Sequence, residues 1–253
     1  MTRYMNRFLV ITVLAAIIFA VAGPVYANVL FFDNFDDNTF DTDKWGVALH
    51  QSSGAPASTV TESNGRLDFK LWGGSSGGNI YAYSKNAAPS YGWSQIDFTG
   101  KWQQTGVRDT AGAGIVIYDA NNTSKYLSAS YSPYWRRITF YDSGTLRGTY
   151  NRDRDLPEQQ FALSFTPMGW SFVDGGTTYL NNVASTSLAN ATSFKIKIGG
   201  DEAAYYPNNN EHNYFDEILL QDDLVSTVPE PASMALVGVG LTGLLALRRR
   251  KRG

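Results

Sequence analysis

Between residues 28 and 225 the chain is built from short runs in which aromatic, β-branched and other apolar residues alternate with polar ones. Gly, Asn, Asp, Ser and Pro separate the runs, and helical periodicity is almost absent. Period-two alternation over five to nine residues is the mark of strands with one face in a core and one in water. The clearest runs are 66–71, 80–84, 94–102, 112–118, 126–131, 136–142, 161–166, 169–173, 193–198 and 214–220. Many short strands with frequent turn signals predict an all-β, two-sheet sandwich. Phe194, Ile196 and Ile198 alternate with Lys195 and Lys197, so that strand has one dry and one wet face. In 214–220 both faces are largely apolar, which predicts a central strand. Asn64-Gly65 reads as a type I′ turn and Asp142-Ser143-Gly144-Thr145 as a second hairpin turn. The run Trp72-Gly73-Gly74-Ser75-Ser76-Gly77-Gly78 reads as a flexible connection. It lacks the Lys-Ser/Thr and the following helix that a phosphate cradle needs.

The two ends break this pattern. Arg3 and Arg7 precede an apolar stretch from Phe8 to Val21, and Val25-Tyr26-Ala27 supplies small residues at −3 and −1. Residues 1–27 therefore read as a signal peptide cleaved after Ala27, handled by the Sec translocon; an uncleaved N-terminal anchor is the alternative. At the other end Val228-Pro229-Glu230-Pro231 precedes a 16-residue apolar run, 232–247, and then Arg248-Arg249-Arg250-Lys251-Arg252. As a helix that run would span roughly 24 Å at about 1.5 Å per residue. That is a little short of the ~30 Å hydrocarbon core, a gap that snorkelling arginines can close. An ordinary C-terminal anchor or a buried hairpin helix are the alternatives, but a buried helix would not end in five cations. Basic flanks stay on the cytoplasmic side, so both ends place the body outside the cytoplasm. The expected organisation is a signal peptide (1–27), a sandwich domain (28–225) and a sorting segment with a transmembrane helix (226–253).

Setting the ends aside changes the charge. The body keeps 14 basic and 22 acidic residues, a net of −8. A nucleic-acid-binding surface needs the opposite sign. An acidic body suits neutral glycans or cations such as calcium. There is no cysteine, so stability must come from a core. The two histidines, His50 and His212, are far apart in sequence and read as surface or loop residues, too few for a zinc site.

Candidate chemistry is concentrated in three places. Residues 33–43 hold five aspartates, among them Asp33 and Asp36. Hard oxygen donors on a loop suit calcium, although no register fits an EF-hand; Asx-turns and a helix cap are the bland alternative. Arg152-Asp153-Arg154-Asp155 alternates in sign and reads as a solvated loop. Aromatic clusters at Tyr91 and Trp93 and at Tyr134, Trp135 and Arg136 could stack on sugar rings, with Arg bonding hydroxyls, or could fill the core. Glycosidases need two carboxyls roughly 5–10 Å apart across the scissile bond. Asp216 and Glu217 are adjacent on a predicted strand, which points them to opposite faces. Asp201-Glu202 reads as a loop, and Glu62, Glu158 and Glu211 as isolated.

Two resemblances follow from these residues. Val228-Pro229-Glu230-Pro231, the apolar run with Gly238, Gly240 and Gly243, and the terminal cations resemble the PEP-CTERM sorting signal of Gram-negative bacteria. This implies export, an inner-membrane intermediate, and processing near the motif by an exosortase-type enzyme. It further implies display at the cell surface or in an exopolysaccharide matrix. The order Phe32-Asp33-Asn34-Phe35-Asp36, Trp170 to Gly175, Phe194 to Gly200 and Phe215 to Leu220 is similar to concanavalin A-like (laminin-G-like) lectin and glucanase domains. This implies a two-sheet jelly roll whose first and last strands lie side by side. It also implies a calcium site from early and late acids, Asp33 and Asp216. The Glu-x-Asp-x-x-Glu strand of the fold's glucanases is absent. The expectation is therefore a sandwich that binds polysaccharide without catalysis. A glycoside hydrolase-like enzyme and a structural matrix protein without a specific ligand are the alternatives.

Overall fold

The computed structural model describes residues 27–51, 58–71, 78–105, 111–132, 135–152, 156–202 and 211–223; the expected signal peptide, the sorting segment with its expected membrane helix, and Tyr134 lie outside the described residues. The described residues form sixteen strands, numbered in chain order, and no helix. The first sheet runs β14 (Thr177–Ala184), β13 (Gly169–Asp174), β12 (Leu156–Thr166), β7 (Ile96–Thr105), β16 (Glu211–Asp222), β4 (Arg66–Leu71), β3 (Thr59–Ser63), with β1 (Asn28–Asp33) also on β16. The second runs β11 (Thr145–Asn151), β10 (Arg137–Asp142), β9 (Asn122–Ser132), β8 (Ala111–Asp119), β15 (Ser193–Glu202), β5 (Gly78–Ser84), β2 (Trp45–Gln51), with β6 (Ala88–Pro89) on β15. First and last strands thus lie side by side, as the jelly-roll resemblance implies.

Alternation puts one face of each sheet into a shared core. Leu67, Phe69, Phe98, Trp102, Phe161, Phe172, Phe215 and Ile218 come from the first sheet, and Ile80, Ile115, Ile117, Phe140, Phe194, Ile196 and Ile198 from the second. Aromatic rings interlock across the layer. Phe140 meets Phe172 with centroids 5.1 Å apart, and Phe165 meets Phe194 at 5.6 Å. Aromatic pairs add about 0.5–1.5 kcal/mol beyond the area they bury. The two predicted turns are present: Asn64 and Gly65 have φ of 55° and 69°, and Ser143 and Gly144 have 48° and 84°.

Three polar links tie the sheets together. Asn213 of β16 donates from Nδ2 to the Gly112 carbonyl of β8 (2.7 Å). Ser90 donates to Asp222 of β16 (2.5 Å). Arg152, directly after β11, pairs through Nε with Asp174 of β13 (2.6 Å), and the other Asp174 oxygen accepts from Trp102 Nε1 (2.8 Å). The Arg152 side chain is 6% exposed, so this residue is a buried cross-sheet clamp and not part of a solvated loop. The alternating charges hid this because sequence shows charge but not which carboxylate lies opposite.

Candidate functional site

The hydrophobic frame of β16 slips partway along the strand. Phe215 is buried, and so are Ile218 and Leu220, so the core-facing positions change from odd to even. A β-bulge between Asp216 and Leu219 in the register with β7 takes up the extra residue, and Glu217 sits at φ 51°. The bulge re-aims the side chains. Asp216 and Glu217 both turn to the outer face of the first sheet, where Lys101 of β7 reaches each of them: 3.5 Å to Asp216 Oδ2 and 2.5 Å to Glu217 Oε1. The expectation that these neighbours face opposite ways is corrected, because simple alternation does not survive a bulge. The two distances limit the separation of those oxygens to about 6.0 Å. Burial is the largest influence on Asp216 and pushes its carboxyl upward, against the opposing pull of the Glu217 amide and Lys101. Lys101 is raised, first by its bond to Glu217.

Glu217 stands between two hollows. One, of about 340 Å³, is lined by Phe32, Asn34, Asp36, Thr99, Asp216 and Leu219 as well as Glu217. The other, of about 390 Å³, is lined by Thr99, Gln160 and Gly176 among others, and again by Glu217. Phe32 is 48% exposed, an apolar plane beside the carboxylates.

The outer face of the second sheet carries a larger groove of about 620 Å³. Tyr83, Val116, Tyr118, Tyr126, Ser128 and Lys197 line it. Strand register brings these together: Lys197 lies opposite Val116 and Tyr83, and Tyr118 lies opposite Tyr126. The sequence reading missed this groove, since its three tyrosines come singly from three strands and form no local cluster.

Of the aromatic candidates, Trp93 is buried: its Nε1 donates to the Ala191 carbonyl (2.9 Å) and its ring packs on Phe165 and Phe194. It is a core residue and not a sugar platform. Tyr91 is 70% exposed and Trp135 61% exposed, with the Arg137 guanidinium 4.9 Å from the Trp135 ring. Arg136 is exposed in the turn before β10. Neither Tyr91 nor Trp135 lines the three hollows described above.

The proposed calcium donors are turned to separate partners. Asp33 is buried, accepts from Trp45 Nε1 (2.7 Å) and from the Phe35 amide (3.3 Å), and faces Lys44 at 3.7 Å. Asp36 accepts from Asn34, and Asp216 faces Lys101. Among the described residues no three His, Cys, Asp or Glu groups stand together as a metal-holding set. Asx-turns do occupy the loop, as at Asp37 to the Thr39 amide (3.0 Å) and Asp41 to the Asp43 amide (2.9 Å).

Glu62 is not isolated. It packs under the aspartate loop, accepts from the Thr39 amide (3.2 Å), and has its carboxyl pushed up to about 7, first by burial and then by Asp37. Glu211 is also drawn into the interior, fully buried beside Gln104. Asp201 and Glu202 end β15 and are not in a loop. His212 lies on β16, not in a loop, with its ring bonded to Asp68 (2.7 Å) and stacked on Tyr214. His50 is exposed on β2.

Residues 227–251 match the PEP-CTERM protein-sorting motif. No curated protein matches the chain in sequence. Solved structures do match in fold. The catalytic domain of an endo-1,3-β-glucanase (laminarinase) from Thermotoga petrophila superimposes with a TM-score of 0.58 at 11% identity, covering 79% of this chain and all of that one. The endo-β-1,3-glucanase of Pyrococcus furiosus gives 0.57 at 10% identity, covering 78% and 95%. A structure from work on endo-acting O-glycanases of the human gut microbiota that initiate mucin breakdown gives 0.55 at 13%, covering 77% and 99%. These neighbours are glucanases and glycanases by name, and the expectation of a sandwich without catalysis is corrected to that extent: the chain shares a fold that these hydrolases use. The sorting motif indicates export, anchoring through the C-terminal tail and processing by an exosortase-type enzyme. The chain thus joins a PEP-CTERM sorting motif to a two-sheet sandwich with the fold of concanavalin A-like glycoside hydrolases.

Proposed function

We propose that this is a glycoside hydrolase-like enzyme, exported through the Sec translocon and displayed at the surface of a Gram-negative cell. It cleaves polysaccharide at the outer face of the first sheet, with Asp216 and Glu217 as its carboxyl pair. The observation that carries the proposal is the bulge in β16, which puts two carboxyls on one face within about 6.0 Å. Retaining glycosidases use carboxyls about 5–5.5 Å apart, one as acid and one as nucleophile. Asp216, with its carboxyl raised by burial, suits the proton donor to the glycosidic oxygen. Glu217, half-exposed between the two hollows, suits the attack on the anomeric carbon. Lys101 holds both in place, and Phe32 offers its exposed ring to a sugar's C–H face.

The test is reducing-end release by the full chain from β-glucans, mucin-type O-glycans and the cell's own exopolysaccharide, with and without EDTA. The wild type is expected to release reducing ends, and Asp216→Asn and Glu217→Gln to lose at least ~100-fold of the rate, the scale of a general acid or nucleophile. A wild type that cleaves none of these polymers, or an Asp216→Asn/Glu217→Gln double variant as active as the wild type, would overturn the proposal.

A further inference from the structure

The groove on the second sheet has a charge unlike the rest of the molecule. The body carries a net of −8. Yet the charged side chains on the described outer face of the central strands β10, β9, β8, β15 and β5 are Arg137, Lys195 and Lys197, all cationic. The other outward positions whose side chains are described include no carboxylate, among them Thr139 and Tyr141 of β10, Tyr126, Ser128 and Ser130 of β9, Val116 and Tyr118 of β8, and Tyr81 and Tyr83 of β5.

Lys197 sits at the middle of this face. Its ammonium lies 4.0 Å from the centroid of the Tyr81 ring, and its position across from Val116 and Tyr83 sets it in the floor of the groove. Among the described residues no carboxylate pairs with it. Two other lysines differ: Lys101 of β7 has Asp216 and Glu217, and Lys44, on the loop before β2, has Asp33 and Asp41. Burial alone pushes the Lys197 amine downward, so the charged form is disfavoured as it stands. A partly buried cation without a counter-charge is costly, and an incoming anion would relieve that cost. Tyr83, Tyr118 and Tyr126 line the groove beside Lys197; tyrosine is the residue type whose ring packs on a pyranose and whose hydroxyl bonds sugar hydroxyls.

We propose that the groove formed by Tyr83, Tyr118, Tyr126 and Ser128 around Lys197 is a binding site for an acidic polysaccharide, in which Lys197 pairs with the carboxylate of a uronic acid unit. Lys195, next along the outer face of β15 and opposite Tyr118, offers a second cation for the same strand of polymer. The site is on the sheet opposite Asp216 and Glu217, so the two proposals stand or fall separately.

The test uses the purified full chain in detergent and measures affinity for polygalacturonate, fully methyl-esterified polygalacturonate, laminarin and dextran sulfate. Polygalacturonate is expected to bind at least tenfold more tightly than its methyl ester and than laminarin. Lys197→Gln should remove most of that preference, and Lys197→Arg should keep it within about threefold. If Lys197→Gln fails to fold, the comparison of acid and ester on the wild type still decides. Equal affinity for acid and ester, no binding to polygalacturonate, or an unchanged preference in folded Lys197→Gln would each overturn the proposal. Dextran sulfate binding as tightly as polygalacturonate, whatever stands at 197, would also overturn it and assign a diffuse anion surface instead.

Discussion

Breaking the clamp between Arg152 and Asp174 should be among the most damaging single changes in the sandwich. The Asp174 side chain is fully buried and that of Arg152 is 6% exposed. Asp174 holds Arg152 Nε at 2.6 Å on one oxygen and Trp102 Nε1 at 2.8 Å on the other. Arg152 also donates from Nη2 to Gln159, lies over the Tyr131 ring at 5.1 Å, and donates its amide to the Arg136 carbonyl at 2.8 Å. Removing one partner of a buried pair leaves the other charge uncompensated, at about 3–5 kcal/mol. For a domain of this size that lowers Tm by roughly 6–20 °C at about 2–4 °C per kcal/mol. Arg152→Met strands the carboxylate, and Asp174→Asn takes from the guanidinium the charge that faces its Nε. The double variant strands neither, so its cost should fall well below the sum of the two single costs. Urea unfolding of the full chain, followed by tryptophan fluorescence, measures all four corners of the cycle. Single costs below about 1 kcal/mol, or a double variant that simply adds the two, would refute the reasoning.

Other expectations follow from the same geometry. The Glu62 carboxyl is raised from 4.5 to about 7 in the fold, so its protonated form favours the folded state. That contribution, at most about 3 kcal/mol, is whole below pH 4.5 and fades as pH rises through about 7. Glu62→Gln should flatten the fall in Tm between pH 5 and 8, and a slope identical to wild type would count against the assignment. A Cβ at Gly200 would collide with the Gly112 carbonyl and with Asn213, so Gly200→Ala should lower stability by about 1–3 kcal/mol or more. Trp45→Phe removes the donor to buried Asp33 and leaves part of the indole's volume unfilled. It should cost about 1–3 kcal/mol by chemical denaturation. Lys101→Met should leave the carboxyl pair unneutralised, and the pH profile of any polysaccharide cleavage should shift alkaline on its acid limb.

The chain's own pattern of residues determined the interior of each sheet. All ten runs read from alternation are strands, and Phe194, Ile196 and Ile198 face the core with Lys195 and Lys197 outside, as read. The strands that alternation did not reveal include β3 and β14, the edges of the first sheet, and β2 and β11, the edges of the second. The reason is physical. A central strand is packed against the facing sheet along its length and must alternate, whereas an edge strand such as Thr145–Asn151, exposed at nearly every position, is held by backbone pairing with one neighbour. Backbone pairing leaves no mark on side-chain type.

The same division applies to the sites. The sorting tail is legible because its function resides in a local string of residues, and so is the aspartate loop because Asx-turns are local. What only the tertiary structure decided is which side chains share a face. The bulge at Asp216 was detectable in principle, since the apolar frame slips from Phe215 to Ile218, but its consequence depends on Lys101 from another strand. Trp93 could serve as a sugar platform or as core filling until Phe165 and Phe194 closed over it, and Arg152 looked solvated until Asp174 stood opposite. The groove around Lys197 draws single tyrosines from separate strands. Its character is set by strand order and register, long-range pairings that no local stretch of sequence encodes.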